Sequence, residues 1–114
     1  LALVAMDAPS RFDADDFRDR KVQVLRAVRR LSADEVAAHT RRARYAAGKV
    51  GERELPAYAD EEGVDAARGT ETFARVTLWV DNWRWAGVPF VLRTGKALAT
   101  DRREIAIHFR PVPL

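Results

Sequence analysis

Arg93-Thr94-Gly95-Lys96 sets two cations around a glycine at the end of a short apolar, β-branched run. Backbone donors freed at a strand end, a hydroxyl and a lysine are the groups that gather a phosphate or a sugar oxygen. The stretch lacks the glycine spacing of a Walker loop and no helical pattern follows it, so a solvated turn is the plainer local reading and an anion site the sharper one. Arg102-Arg103 follow six to seven residues after Lys96. They either add positive charge to the same pocket or sit on a solvated loop.

The other chemistry-bearing residues point to less. Arg41, Arg42 and Arg44 cluster without an aromatic stacking platform beside them, which reads as a wet face ahead of a nucleic-acid groove. His39 and His108 are the only histidines, and neither has a carboxylate, serine or second histidine at triad or metal-site spacing, so both read as structural. Trp79, Trp83 and Trp85 offer packing area before ligand stacking. Asp13, Asp15, Asp16 and Asp19 lack the glycine and terminal Glu of a calcium loop and are better explained by helix capping. The chain has no Cys, which excludes a disulfide framework and cysteine-ligated zinc or iron–sulfur. With 20 Lys and Arg against 17 Asp and Glu the formal charge is +3, weak support for nucleic acid. No apolar run approaches the roughly 20 residues of a membrane span.

These residues need elements to position them. Residues 1–6 are apolar with no polar cap and read as the tail of a longer helix. Pro9 ends that segment, and Asp15 or Asp16 can cap a helix over 16–31, in which Phe17, Val24, Leu25, Val28 and Leu31 recur near the helical period. Ser32-Ala33-Asp34-Glu35 has capping-box spacing and locally predicts a helix running through Ala38 towards Tyr45. Four glycines, Pro56 and several acids predict an exposed loop over 48–69. From Thr72 the pattern alternates, with Ala74, Val76, Leu78 and Val80 on one face and Phe73, Arg75, Thr77 and Trp79 on the other, a strand of about nine residues. Asp81-Asn82 supplies a turn, residues 88–93 a second strand, and residues 104–110 a third that Pro111 stops. Helices followed by strands predict an α+β fold with an antiparallel or mixed sheet.

Thr70-Glu71-Thr72-Phe73-Ala74 followed by Asp81-Asn82-Trp83-Arg84-Trp85-Ala86-Gly87-Val88-Pro89-Phe90-Val91-Leu92-Arg93-Thr94-Gly95-Lys96 resembles the signature of the glucose-6-phosphate dehydrogenase family. Leu3-Val4-Ala5-Met6-Asp7-Ala8-Pro9, Arg18-Asp19-Arg20-Lys21-Val22-Gln23-Val24-Leu25, Tyr45-Ala46-Ala47-Gly48, and Tyr58 with Glu61-Glu62-Gly63-Val64 resemble the family's other pieces in the same order. The resemblance implies a fragment of the family's C-terminal domain: helices over 1–31, a loop-rich connection over 32–69, and strands over 70–110 of a large, mostly antiparallel sheet.

It further implies a parent enzyme, cytoplasmic and homo-oligomeric through that sheet. Such an enzyme oxidises glucose 6-phosphate at C1 to 6-phosphogluconolactone, passes hydride to NADP and opens the oxidative pentose phosphate pathway, without nucleic-acid or membrane partners. The family's nucleotide loop, His-Tyr-x-Gly-Lys motif and catalytic histidine match nothing here and would lie before Leu1, so the fragment alone is expected to be inactive. Lys96 matches a family contact to the sugar phosphate. The second family cation falls at Asp101, for which Arg102 can substitute after a small loop shift, and Arg93 matches a residue that in some members helps hold a second, structural NADP. Relatives look extended over 36–45, against the helix the capping box predicts. The rival readings are a non-catalytic binding or assembly module that kept the sheet, and a nucleic-acid-binding domain using Arg41 to Arg44 with Arg102-Arg103.

Overall fold

A computed structural model describes residues 1–111. The elements run α1 (Ala2–Ala5), α2 (Ala14–Arg26), α3 (Ala33–His39), β1 (Thr40–Ala43), β2 (Gly48–Val50), β3 (Arg53–Leu55), β4 (Phe73–Trp79) and β5 (Pro89–Gly95), with single 3-10 turns at Tyr58–Asp60 and Ala66–Arg68. One antiparallel sheet has the order β1-β4-β5, and β2 with β3 forms a separate hairpin. Helices followed by strands of a mostly antiparallel sheet make this α+β, as the residue pattern predicts.

The helices begin where their caps dictate. Asp13, not Asp15 or Asp16, caps α2, its Oδ1 accepting the backbone N–H groups of Asp15 and Asp16 at 3.1 and 2.9 Å. The helix stops at Arg26 rather than Leu31 because the next residues join the sheet. Val28 bridges Val80, and the Arg29 N–H donates to the Trp79 carbonyl at 2.9 Å. A residue cannot serve both ladders. The capping box forms in full, the Ser32 N–H donating to Glu35 and the Glu35 N–H to the Ser32 hydroxyl. The helix it starts lasts only seven residues, since Thr40 turns extended and pairs with Val76. Local capping and extended pairing thus each hold over part of residues 36–45. The loop predicted over 48–69 contains the β2–β3 hairpin, turned at Gly51 in the left-handed region (φ 61°).

The core lies at one end of the sheet. Ala5, Val24 and Val80 are buried, and Leu1, Met6, Ala27, Val28, Trp85 and Phe90 pack around them. Trp85 closes this end: its ring meets Phe90 edge-on at 5.1 Å and its indole N–H donates to the Ala5 carbonyl at 2.8 Å. The β4–β5 connection is shaped by Asn82, whose Oδ1 accepts the Trp85 N–H at 2.9 Å, and by Gly87, whose φ of 75° favours a residue without a Cβ. On the sheet face carrying Trp79, His39 of α3 meets that ring at 4.8 Å and the Arg29 guanidinium lies 4.6 Å from its centroid.

Past β5 the expected third strand does not form. Residues 101–111 carry no regular structure, and Ile105, Ile107 and Phe109 are 72, 66 and 88% exposed. Alternation supplies a strand's two faces, whereas a strand also needs a neighbour for its N–H and C=O groups, and none pairs with 104–110 among the described residues. The fold is open. Its accessible surface is 9618 Å² and its radius of gyration 18.5 Å, against about 6,300 Å² and about 13 Å for a compact chain of this size.

Candidate functional site

β5 carries Arg93, Thr94 and Gly95 to the sheet end opposite the core, and Lys96 follows it. The register sets Thr94 against Ala74, Gly95 against Phe73 and Arg93 against Arg75. Lys96 leaves the strand but keeps one more rung, its N–H donating to the Thr72 carbonyl at 2.8 Å. Gly95 seats closely at this point: a Cβ there would stand 3.0 Å from the Phe73 ring and 3.3 Å from the Thr72 oxygen, so that the neighbours would have to give way by a few tenths of an ångström. Ala97 then takes φ 52°, a left-handed conformation that costs an L-residue roughly 1–2 kcal/mol. The Lys96 backbone is therefore clamped before and bent after, while its side chain stays in solvent.

Thr72 is the centre of the clamp and is 7% exposed. Its N–H donates to the Ala43 carbonyl at 2.9 Å, its carbonyl accepts from Lys96, and its hydroxyl oxygen accepts the Tyr45 N–H at 3.0 Å. Tyr45 extends the network into the loop. Its phenol donates to the Glu61 carboxylate at 2.5 Å, its ring meets Tyr58 at 5.6 Å, and its carbonyl accepts the Tyr58 N–H. The hydrogen bond to Glu61, reinforced by partial burial and that carboxylate's charge, pushes the Tyr45 phenol up to about 12. Beside this node, Glu71 accepts from Arg42 at 2.7 Å, and that bond holds the carboxyl below its ordinary range.

The three sequence-predicted cations occupy different settings. Lys96 follows the end of β5 and is exposed. Arg93 lines a shallow groove with Ala74, Val76, Leu92, Thr94 and Glu104. Arg102 lies in the irregular segment, 3.6 Å from the Glu104 carboxylate, with both side chains more than half exposed. Glu104 thereby brings the Arg102 segment beside β5. Register adds a feature that residue spacing does not display: Arg41, Arg75 and Arg93 form a cross-strand row over β1, β4 and β5. None of the three is ion-paired to a carboxylate among the described residues. Like charges directly opposite repel, so the row suits an anion.

The wet-face reading of the first arginine cluster is refined by particular contacts. Arg41 donates to the Ala37 and Thr40 carbonyls, Arg42 to Glu71, and Arg44 to the Ala66 carbonyl. One guanidinium nitrogen of each thus serves the fold. His39 packs on Trp79 and His108 is exposed. Among the described residues no three His, Cys, Asp or Glu are grouped to hold a metal ion, and no helix is long and apolar enough to cross a membrane. Sequence reasoning missed Thr72, whose only signal is a hydroxyl residue at a strand start in the motif that leads to Phe73.

Comparison with known proteins places these features in a family. The family model described as "Glucose-6-phosphate dehydrogenase, C-terminal domain" matches residues 1–114. The glucose-6-phosphate 1-dehydrogenase of Zymomonas mobilis is 48% identical over 113 residues, 99% of this chain and 23% of that protein. That of Bacillus subtilis is 41% identical over 114 residues, 100% of this chain and 23% of that protein. Among solved structures, a glucose-6-phosphate dehydrogenase in complex with its substrate glucose 6-phosphate superposes with a TM-score of 0.65 at 34% identity, over 82% of this chain and 18% of that one. The enzyme from Mycobacterium avium superposes with the same TM-score at 39% identity, over 82% and 18%. The chain thus spans under a quarter of the length of these relatives.

Proposed function

This chain belongs to the glucose-6-phosphate dehydrogenase family, matching its C-terminal domain, and on that premise we propose that it is the sheet-bearing part of an NADP-linked enzyme that oxidises glucose 6-phosphate to 6-phosphogluconolactone. The domain reading groups residues 1–31 as the helical part, 32–69 as the connection that also lends β1 to the sheet, and 70–110 as the sheet part that meets a second copy, its last stretch over 104–110 having no pairing strand among the described residues. The observation that carries it is the Thr94-Gly95-Lys96 turn, in which a clamped backbone presents a solvent-exposed ammonium at a sheet end. Lys96 holds the sugar phosphate as a point charge with three donors. Arg102 supplies the second cation once it leaves Glu104, an exposed pair that holds it by about 1 kcal/mol at most.

The reaction moves a hydride from C1 to NADP and a proton from the C1 hydroxyl to a base, for which these residues offer no placed histidine. This chain's part is to bind and orient. Arg93, with Arg75 and Arg41 beside it, fits the phosphate of a second, structural NADP, whose chemical contribution is negative charge against a repelling row. Expression in the cytoplasm and pairing through the sheet belong to the same reading.

A non-catalytic assembly module is the second reading, favoured by the small core and open surface. Glucose 6-phosphate-dependent NADP reduction separates the two. The polypeptide carrying this chain should reduce NADP and the isolated chain should not. Lys96→Ala should raise the KM for glucose 6-phosphate about 10- to 100-fold, the worth of one charge-assisted hydrogen bond of 1.5–3 kcal/mol. No activity in the full polypeptide would favour the assembly reading, and an unchanged KM would remove Lys96 from the site.

A further inference from the structure

Lys96 has little of its own to fix its position. It lies outside the β5 ladder, its side chain is exposed, and the residue after it is bent into the left-handed region. Its backbone is held by the Thr72 carbonyl and by the close seat of Gly95 against Phe73 and Thr72. Thr72 is in turn fixed from the other side of the sheet by two bonds, its N–H to the Ala43 carbonyl and the Tyr45 N–H to its hydroxyl. The three bonds use three different groups of one residue, and their partners come from two segments, Ala43 and Tyr45 at the end of β1 and Lys96 after β5.

We propose that Thr72 is the positioning residue for Lys96, and that the Tyr45–Thr72–Lys96 relay sets the affinity of the turn for a phosphorylated sugar. This rests on the reading of Lys96 as a substrate contact. The hydroxyl is the replaceable link. Valine keeps the shape and β-branching of threonine but cannot accept the Tyr45 N–H, leaving a part-buried donor unpaired and the start of β4 tied towards β1 by the single Thr72 N–H to Ala43 bond. Serine keeps the acceptor. The relay also connects the turn to the loop at Tyr58 and Glu61, since Tyr45 is the residue on which that loop hangs. An ammonium shifted by even a fraction of an ångström loses hydrogen-bond geometry to a phosphate, and a phosphate contact made equally in the ground and transition states is lost in KM rather than in kcat.

The test is made in the full-length enzyme, with Thr72→Val, Thr72→Ser, Lys96→Ala and the Val/Ala double variant. Thr72→Val should raise the KM for glucose 6-phosphate about threefold to tenfold with kcat changed less than about twofold, from the loss of one hydrogen bond. Thr72→Ser should stay within about twofold of the parent, and in the Lys96→Ala background Thr72→Val should add less than about twofold, because both act through one side chain. Backbone hydrogen exchange should show the Lys96 amide opening about tenfold faster in Thr72→Val than in Thr72→Ser. An unchanged KM in Thr72→Val, effects that multiply in the double variant, or unaltered exchange at Lys96 would overturn the proposal. A Lys96→Ala enzyme with parental KM and faster Lys96 exchange in Thr72→Val would sink the substrate reading and leave the relay standing as a structural device only.

Discussion

The two ends of the β4–β5 hairpin are built on opposite principles. At the turn end, Val80, Phe90 and Trp85 close against α1 and α2 and exclude water, and the connection is fixed by an Asn82 turn and an indole hydrogen bond. At the open end, Gly95 and Lys96 are held by backbone and hydroxyl bonds around Thr72, with charged side chains left in solvent. Burial anchors one end and hydrogen bonding orients the other. An apolar core tolerates a polar atom only where it is hydrogen-bonded, as the Trp85 indole is, whereas a site for a phosphorylated ligand needs cations that are held in place but still hydrated until the ligand arrives.

Substitutions at the two ends should therefore differ in kind. The largest effect is expected at Val80, which has no exposed surface. Val80→Asp should cost about 4 kcal/mol or more by burying an unpaired carboxylate, and Val80→Ala about 2 kcal/mol, read from the urea midpoint. A loss below about 1 kcal/mol for the aspartate would break the comparison, because the turn end would no longer be the anchor. Trp85→Phe should cost about 1 kcal/mol by removing the donor to the Ala5 carbonyl.

Ser32→Ala, which removes the cap of α3, should cost a similar ~1 kcal/mol. It should leave the KM for glucose 6-phosphate at its parental value, and a changed KM would mean that α3 reaches the open end. The pH dependence of the Tyr45 contribution falls in alkali. The phenol's folded pKa is about 12 against an ordinary value of 10.0, so the unfolded chain loses this proton first. Stability from the Tyr45–Glu61 bond is complete below about pH 10 and is lost as the pH rises towards 12. Tyr45→Phe should flatten the fall between pH 10 and 12 in a series of urea midpoints, and an identical fall in both proteins would assign it to other groups.

The smallest stability effect is expected at Arg102, whose partner is an exposed glutamate. Arg102→Ala should change stability by less than about 0.5 kcal/mol while raising the KM. A stability loss larger than that would mean the irregular segment is packed more firmly than its exposure indicates.

Much of this architecture was legible without coordinates, and the reasons are local. Capping chemistry located α3 at Ser32 and α2 to within three residues, its cap being Asp13 rather than Asp15 or Asp16, because a side-chain oxygen reaches only the next few backbone N–H groups. Period-two alternation located β4, and the apolar run before Thr94 located β5. The long signature through Lys96 identified the family, since so many specified positions in order seldom arise otherwise. The end of α2 was misjudged by five residues, because Val28 and Arg29 are taken by the far strand β4 and nothing near them in the chain announces it.

The sequence by itself determined the α+β class, the start of α3 and the approximate start of α2, the hairpin and the cation-rich turn, all of which depend on contacts among near neighbours or on a long matched motif. Only the tertiary structure decided that residues 104–110 are unpaired, that Arg41, Arg75 and Arg93 stand in one row, and that Thr72 joins Tyr45 to Lys96. Each of these depends on strand register or on a missing neighbour. Register is a relation between segments tens of residues apart, set by which backbone donor finds which acceptor, and no single stretch of chain contains that information.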